Sequence, residues 1–455
     1  MPTKSKGAFG GQLRGSGGLG GGILPEFRDM MGPALQHDLT ELPGLDYLSA
    51  PNGAIATAQA AAAAAFGADE TFLLVNGTTA GVHAAVLATC RPGDDIILAR
   101  NCHLSAFSAC VLAGCQPAWV DPVVDPHLGV AHCVTPEVLH QGLAASAAAG
   151  RPVGAVLLVS PTYFGACCDI AGCARVCHAA GMPLIVDEAH GAPLAFLRGR
   201  DGAPAGALAA GADVAVQSSH KTLSALGQAS MLHMRGERVD RRRLASALQV
   251  LQTSSPSYLL MASLDAARAA AQQPGAWDAP LHAARLARAG LRALPGLTLL
   301  EDFAAAGSPG VHALDPLRLT VAVSGWGFSG RAVAAELDTR FGVVPELATQ
   351  EVVVFALGAG SARAAGMSPR DAFFAEIEQV PADAAVGRLS AELLCPYPPG
   401  VPAALPGEVL TADTLAALRG VLAAGGKVTG AADETLRMLS VIVEHDPQTQ
   451  MLDCV

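Results

Sequence analysis

The sequence predicts an α/β fold in which parallel strands are joined by crossover helices, with a second, smaller domain attached. Three observations carry that prediction. The chain has 455 residues, more than one hydrophobic core usually holds. From about residue 54, segments with strand character alternate with segments of helical character. Val153 to Val159 is wholly apolar, rich in β-branched residues and bounded by Gly, Pro and Ser, which reads as a strand buried on both faces.

Taken in order, Thr71–Val75 is a short apolar strand and Thr79–Thr89 a helix. Asp95–Ala99 is the next strand, followed by a helix over His103–Ala113 and a strand at Ala118–Val120. After the strand at 153–159 come a helix at Ile170–Ala180 and strands at Pro183–Val186, Asp213–Gln217 and Ala229–His233. Alanine-rich helices from Leu244 to about Leu294, broken at Pro256 and near Gln273, bridge to the second domain. That domain has a strand near Leu317–Val323, a helix near Arg331–Phe341 and a strand at Glu351–Leu357. The prolines of 396–402 argue against regular structure there.

Composition narrows the function. Apolar residues make up 51% and charged residues 15%, which excludes a disordered chain. Mean hydropathy is +0.37. No apolar run reaches the ~20 residues that cross a bilayer, and the richest stretch, Ala54–Phe66, is mostly alanine. No membrane partner is expected. A net charge of −11 argues against nucleic acid and suits a cationic substrate. The basic run Arg235–Arg243, interrupted by Glu237 and Asp240, reads as a solvated helix face. Eleven cysteines are too few for a disulfide scaffold, so a reducing compartment is expected. Cys167, Cys168, Cys173 and Cys177 with His178 lack the paired spacing of structural zinc sites and read as small core residues; no metal is expected. Residues 1–22 are Gly-rich with Lys4, Lys6 and Arg14, a flexible arm or an organelle-targeting remnant.

Three strand ends carry the chemistry, because ligands of open parallel sheets bind at carboxyl edges. Asn76-Gly77-Thr78-Thr79 opens a helix, where free N–H groups, a positive dipole and two hydroxyls can cradle a phosphate; capping alone is the plainer reading. Asp187 ends a buried strand and needs a cation, such as a protonated pyridine nitrogen; a capping or metal-binding acid is the alternative. Lys221 follows Ser218, Ser219 and His220 in surroundings poor in charge, where a lysine can become a nucleophile toward a carbonyl. Taken singly it is a surface lysine. Phosphate cradle, acid and amine together, in this order, are what pyridoxal phosphate requires.

The runs PTYFG (161–165), VDEAHGAP (186–193), GADVAVQSSHKTLSALGQASMLH (211–233) and TSSPSYLLMASLDAAR (253–268) closely resemble the Orn/Lys/Arg decarboxylases. The likeness begins near DLTELPGLDYL (38–48), takes in NGTTAG (76–81) and RNCHLS (100–105), and ends with GRLSAELLCPYPPGVPAALPGE (387–408). The resemblance implies a fold-type-I pyridoxal-phosphate transferase-like large domain with a mostly parallel seven-stranded sheet, and a smaller α+β C-terminal domain. The boundaries expected are an N-terminal arm at 1–46, the large domain at 47–305 and the small domain at 306–455.

It also implies roles. Lys221 would carry the cofactor as a Schiff base, Asp187 pair with the ring nitrogen and His103 stack on the ring. Gly77, Thr78, Thr79, Ser218 and His220 would hold the phosphate, with His190 beside the ring. Ser255 and Tyr258 would lie near the dimer interface and substrate mouth, and Glu346 and Cys395 where the small domain approaches the substrate.

The activity implied is decarboxylation of a basic amino acid to its amine, with arginine favoured over lysine or ornithine, feeding polyamine synthesis. A cytoplasmic homodimer is expected, with a plastid as the alternative compartment. Two departures stand out: residues 1–22 lack the family's Pro-Gly-His-Lys-like opening, and the N-terminal wing of the large inducible members is missing. The rival readings are an aminotransferase, which clamps the substrate carboxylate with an arginine, and a catalytically silent paralogue. For such a clamp Arg388 is the candidate, although a structural ion pair suits it better.

Overall fold

The computed structural model describes residues 31–39, 45–305, 307–358, 372, 374–397 and 403–443. Residues 1–22, with their unusual opening, lie outside this set.

The main sheet grows from the buried apolar runs. Its strands are β1 (Glu70–Leu74), β2 (Asp95–Ala99), β3 (Gln116–Val120), β4 (Val153–Val159), β5 (Leu184–Asp187), β6 (Val214–Gln217) and β7 (Ser230–Met234). They lie in the order β1-β7-β6-β5-β4-β2-β3. All run parallel except β7, which is antiparallel to both neighbours. The stretch between β6 and β7 is spent on a four-residue helix, Ser219–Thr222, so no crossover helix fits and the chain returns antiparallel.

Alternate residues of one strand feed opposite cores, as the two-residue period requires. Ile97 and Ala99 of β2 join one cluster with Val156, Leu158 and Val186, whereas Ile96 and Leu98 join the other with Ala155, Leu157 and Ile185. Helices cover both. On one side lie α1 (Gly77–Thr89), α2 (Leu104–Ala113) and α4 (Arg241–Leu251); on the other lies α3 (Pro136–Ala148) with Ile170–Ala179. Helix α3 was not among the predicted elements. Its start is nevertheless well marked: Thr135 accepts from Val138 N–H, Pro136 takes the first turn and Glu137 faces the positive dipole.

A second, four-stranded antiparallel sheet follows, built from β8 (Thr298–Leu299), β9 (Arg318–Ala322), β10 (Leu347–Ala348) and β11 (Val352–Ala356) in the order β10-β11-β9-β8. It shares a core with the first, through Ala322, Val352 and Val354. Beyond it, strands Ile377–Pro381 and Met438–Ile442, strands Cys395–Tyr397 and Lys427–Thr429, and helix Ala412–Ala423 form an α+β unit around its own cluster.

Two expectations are corrected. Pro396 sits in the middle of the short strand Cys395–Tyr397, paired with a single neighbour. A proline is tolerated there because an edge strand leaves one N–H side free. The basic run at 235–243 is not one helix face: Asp240 accepts from the N–H groups of Arg242 and Arg243 and starts the helix at Arg241. Arg238 instead pairs with Asp213, and Arg243 donates to the carbonyls of Leu87 and Cys90. Among the described residues ten cysteines are free, nine of them buried. Among the described residues no helix is long and apolar enough to cross a membrane.

Candidate active site

The turn after β1 forms the first wall. Gly77 opens α1 with φ +74, a conformation that a side chain would strain. No side chain caps this helix, because the Asn76 Oδ1 is engaged by Thr253 N–H at 3.2 Å. Its first amides are therefore available to an anion. Hydroxyls gather beside them: Thr78 is hydrogen-bonded to Ser218, and its Oγ1 lies 3.1 Å from Ser230 Oγ.

Asp187, the last residue of β5, is 5% exposed. Its carboxylate accepts from Ala189 N–H at 3.1 Å, and no other donor reaches it among the described residues. Burial pushes its pKa up, while the Ala189 N–H and the charges of His103 and Lys221 pull the other way. This acid is short of a cation.

Lys221 lies in the helical turn after β6 rather than on the strand itself. Its side chain lines the cleft although the residue as a whole is exposed. Partial desolvation by the cleft walls lowers the ammonium pKa, with Arg318 acting in the same sense and Asp187 and Glu346 opposing. Its Nζ is 3.2 Å from His190 Nε2 and 5.8 Å from the centre of the Tyr163 ring. His190 is packed against Tyr163 with ring centres 4.6 Å apart, and its Nδ1 is 3.1 Å from an Arg318 Nη2. Burial pushes the His190 pKa down to about 2, with Arg318, Lys221, His103 and His220 adding to the fall. His103 caps α2, where its Nδ1 accepts from Ser105 N–H at 3.2 Å. The His220 Nδ1 donates to the Ala229 carbonyl at 3.0 Å.

All nine cofactor and catalytic residues expected from the sequence line one cavity of ≈ 230 Å³: Gly77, Thr78, Thr79, His103, Asp187, His190, Ser218, His220 and Lys221. The four expected substrate residues do not line it. Glu346 lies beside it, 3.9 Å from His190 Nδ1. Tyr258 donates its hydroxyl to the Asp46 carbonyl, Ser255 meets Thr253 on the surface, and Cys395 belongs to the C-terminal unit. Ser219 is fully buried and among the described residues its hydroxyl has no partner, and of the two serines only Ser218 lines the cavity. Arg388 forms the structural pair, to Glu378 at 2.6 Å.

Tyr163, Asn101 and Arg318 belong to this site without having been singled out. Tyr163 and Asn101 lie inside runs read for resemblance only. Arg318 had a sequence signal, a cation within the apolar run 317–323, since an arginine inside a buried strand needs a reason.

The donors present fit pyridoxal phosphate. An uncapped helix end with clustered hydroxyls suits its phosphate, an under-satisfied buried acid suits its protonated ring nitrogen, and an amine of lowered pKa suits its aldehyde.

Comparison with known proteins gives the same answer. Residues 22–288 match the Orn/Lys/Arg decarboxylase major domain, and residues 360–428 match the C-terminal domain of the same family. The chain is 35% identical over 464 residues to an arginine decarboxylase of Bacillus subtilis, covering 94% of this chain and 93% of the relative. It is 34% identical over 465 residues to an arginine decarboxylase of Halalkalibacterium halodurans, with the same coverage. The solved lysine decarboxylase LdcF of Francisella novicida shares the fold, with a TM-score of 0.63 at 18% identity over 92% of this chain and 76% of that one. The chain therefore belongs to the Orn/Lys/Arg decarboxylases, fold-type-I enzymes that use pyridoxal phosphate to decarboxylate basic amino acids.

Proposed function

We propose that the substrate is arginine and that Lys221, Asp187 and the start of α1 form the reacting centre. The observation that carries the site is the convergence of that amine, acid and helix end on one cavity. For arginine, the support is the pair of relatives bearing that activity, each matched over 94% of the chain.

When bound, the cofactor supplies an electron sink that accepts the pair released as the carboxylate departs as carbon dioxide. Each residue then has a task. Gly77, Thr78, Thr79, Ser218 and His220 would hold the phosphate, and Asp187 would keep a positive ring nitrogen in place. His103 and His190 would flank the ring. Lys221 would hold the aldehyde through its amine and would deliver to the substrate carbon the one proton that replaces the lost carbon dioxide. Glu346 sits on the substrate side near His190, with Ser255, Tyr258 and Cys395 further out, where a second subunit or the C-terminal unit closes the mouth.

The protein acts as a homodimer in this reading. The outer face of α2, next to His103, carries Leu104, Phe107, Val111 and Leu112, exposed by 70%, 47%, 71% and 53%. Such an apolar stripe suits a second copy. The free cysteines suit a reducing compartment such as the cytoplasm, and the amine product suits polyamine synthesis.

Carbon dioxide release from arginine, lysine and ornithine tests the substrate. Arginine should have the highest kcat/KM, and a higher value for either rival would overturn that choice. Lys221→Ala should lose at least about a thousandfold in rate.

A further inference from the structure

Arg318 is only 4% exposed, yet among the described residues it forms no ion pair, and its Nε and Nη1 have no hydrogen-bond partner. Its one engaged nitrogen, Nη2, faces His190 Nδ1 at 3.1 Å. The fold makes room for it: a Cβ on Gly165, whose φ is +92, would lie 2.8 Å from Arg318 Cγ.

A guanidinium keeps its protons and has no acceptor. His190 Nδ1 must therefore accept. His190 stays neutral, so its single proton sits on Nε2, facing Lys221 Nζ at 3.2 Å. An N–H there needs a lone pair opposite, which an amine has and an ammonium lacks. The opposite arrangement, ammonium to Nε2, would put the proton on Nδ1 and set N–H against N–H at Arg318.

We propose that Arg318 is a positioning residue for the decarboxylation: it fixes the tautomer of His190, which then donates to Lys221 and holds that amine in its neutral, nucleophilic form. The inference rests on the reading of Lys221 as the amine that captures the cofactor aldehyde. Around that amine, Asp187 from β5 and Glu346 from beside β10 favour the ammonium, as does the face of Tyr163. Burial and Arg318 oppose it, and His103 and His220 line the same cavity.

The test uses the full chain freed of cofactor. Nitrogen-15 spectra of labelled histidines, with His190 assigned through His190→Asn, should show Nε2 protonated and Nδ1 bare; the reverse pattern overturns the proposal. The rate of pyridoxal-phosphate capture, followed by absorbance against pH, gives the second readout. In Arg318→Met its midpoint should rise by about one pH unit, slowing capture near neutrality about tenfold. Arg318→Lys, which keeps a donor, should move it back toward wild type. A purely structural role would lower the folded amount and leave the midpoint in place, and an unmoved midpoint overturns the proposal. If Arg318→Met fails to fold, the wild-type spectrum and Arg318→Lys still decide. Capture that persists in Lys221→Ala would instead remove the underlying reading of Lys221.

Discussion

Asp187 and Glu188 are adjacent in sequence, equally buried, and opposite in purpose. Glu188 has its needs met within the chain: Oε1 accepts from Ala207 N–H and Oε2 from the Gln217 amide, both at 2.8 Å. That amide belongs to a buried row in which the Gln217 carbonyl accepts from His233 Nε2 and the Thr71 hydroxyl reaches His233 Nδ1. Asp187, on the cavity side, has one backbone donor and no charge partner in contact. A satisfied buried acid is architecture, and an unsatisfied one beside a cavity marks where something must bind.

The comparison can be broken most decisively at Asp187. Asp187→Asn should cut kcat/KM by about a hundredfold or more, because an amide neither attracts nor fixes a cationic ring nitrogen. The cofactor-free variant should melt no lower than wild type, since it sheds an uncompensated buried charge. A melting loss comparable to that at Glu188 would erase the distinction. Glu188→Ala should destabilise by about 2–3 kcal/mol in denaturant titration, leaving two buried donors unpaired, with kcat/KM of the folded protein changed by less than about threefold.

The pH dependence sharpens the contrast. Burial pushes Glu188 up to about 7, so the folded chain binds more proton than the unfolded one between 4.5 and about 7, and stability is lost as pH rises through that window. Burial pushes His233 down to about 3, so its contribution is present above 6.5 and lost as pH falls from 6.5 toward 3. The two oppose each other where the windows overlap. In Glu188→Gln the opposing carboxyl contribution is gone, and the melting temperature should fall more steeply with acid than in wild type; parallel curves would refute this. Thr71→Val, at the far end of the row, should cost about 1 kcal/mol with no change in substrate turnover.

The central strands were legible because a strand buried on both faces is apolar along its length, as Val153–Val159 and Ile96–Ala99 are. The reacting groups were legible because they fall at strand ends in a fixed order. Which of the adjacent Ser218 and Ser219 turns toward the cavity was not legible, since motif reading does not give the direction of a side chain. Arg318 was not placed because it comes from the other sheet, and only tertiary packing sets it against His190. Helix α3 escaped because its alanines give little amphipathic contrast, although its Thr-Pro-Glu start was readable.

The support for Arg318 has a consequence for how the chain divides. Strand β9 is fastened to the PTYFG loop, where Thr320 donates to the Phe164 carbonyl and Asp315 N–H to that of Gly165, each at 2.9 Å. The match to the family's major domain stops at residue 288, short of this strand. A cut at that point would retain the amine, the acid and the helix end while discarding the guanidinium beside them. The two sheets thus work as an interlock: parting them would disarm the nucleophile before the parallel strands themselves came apart.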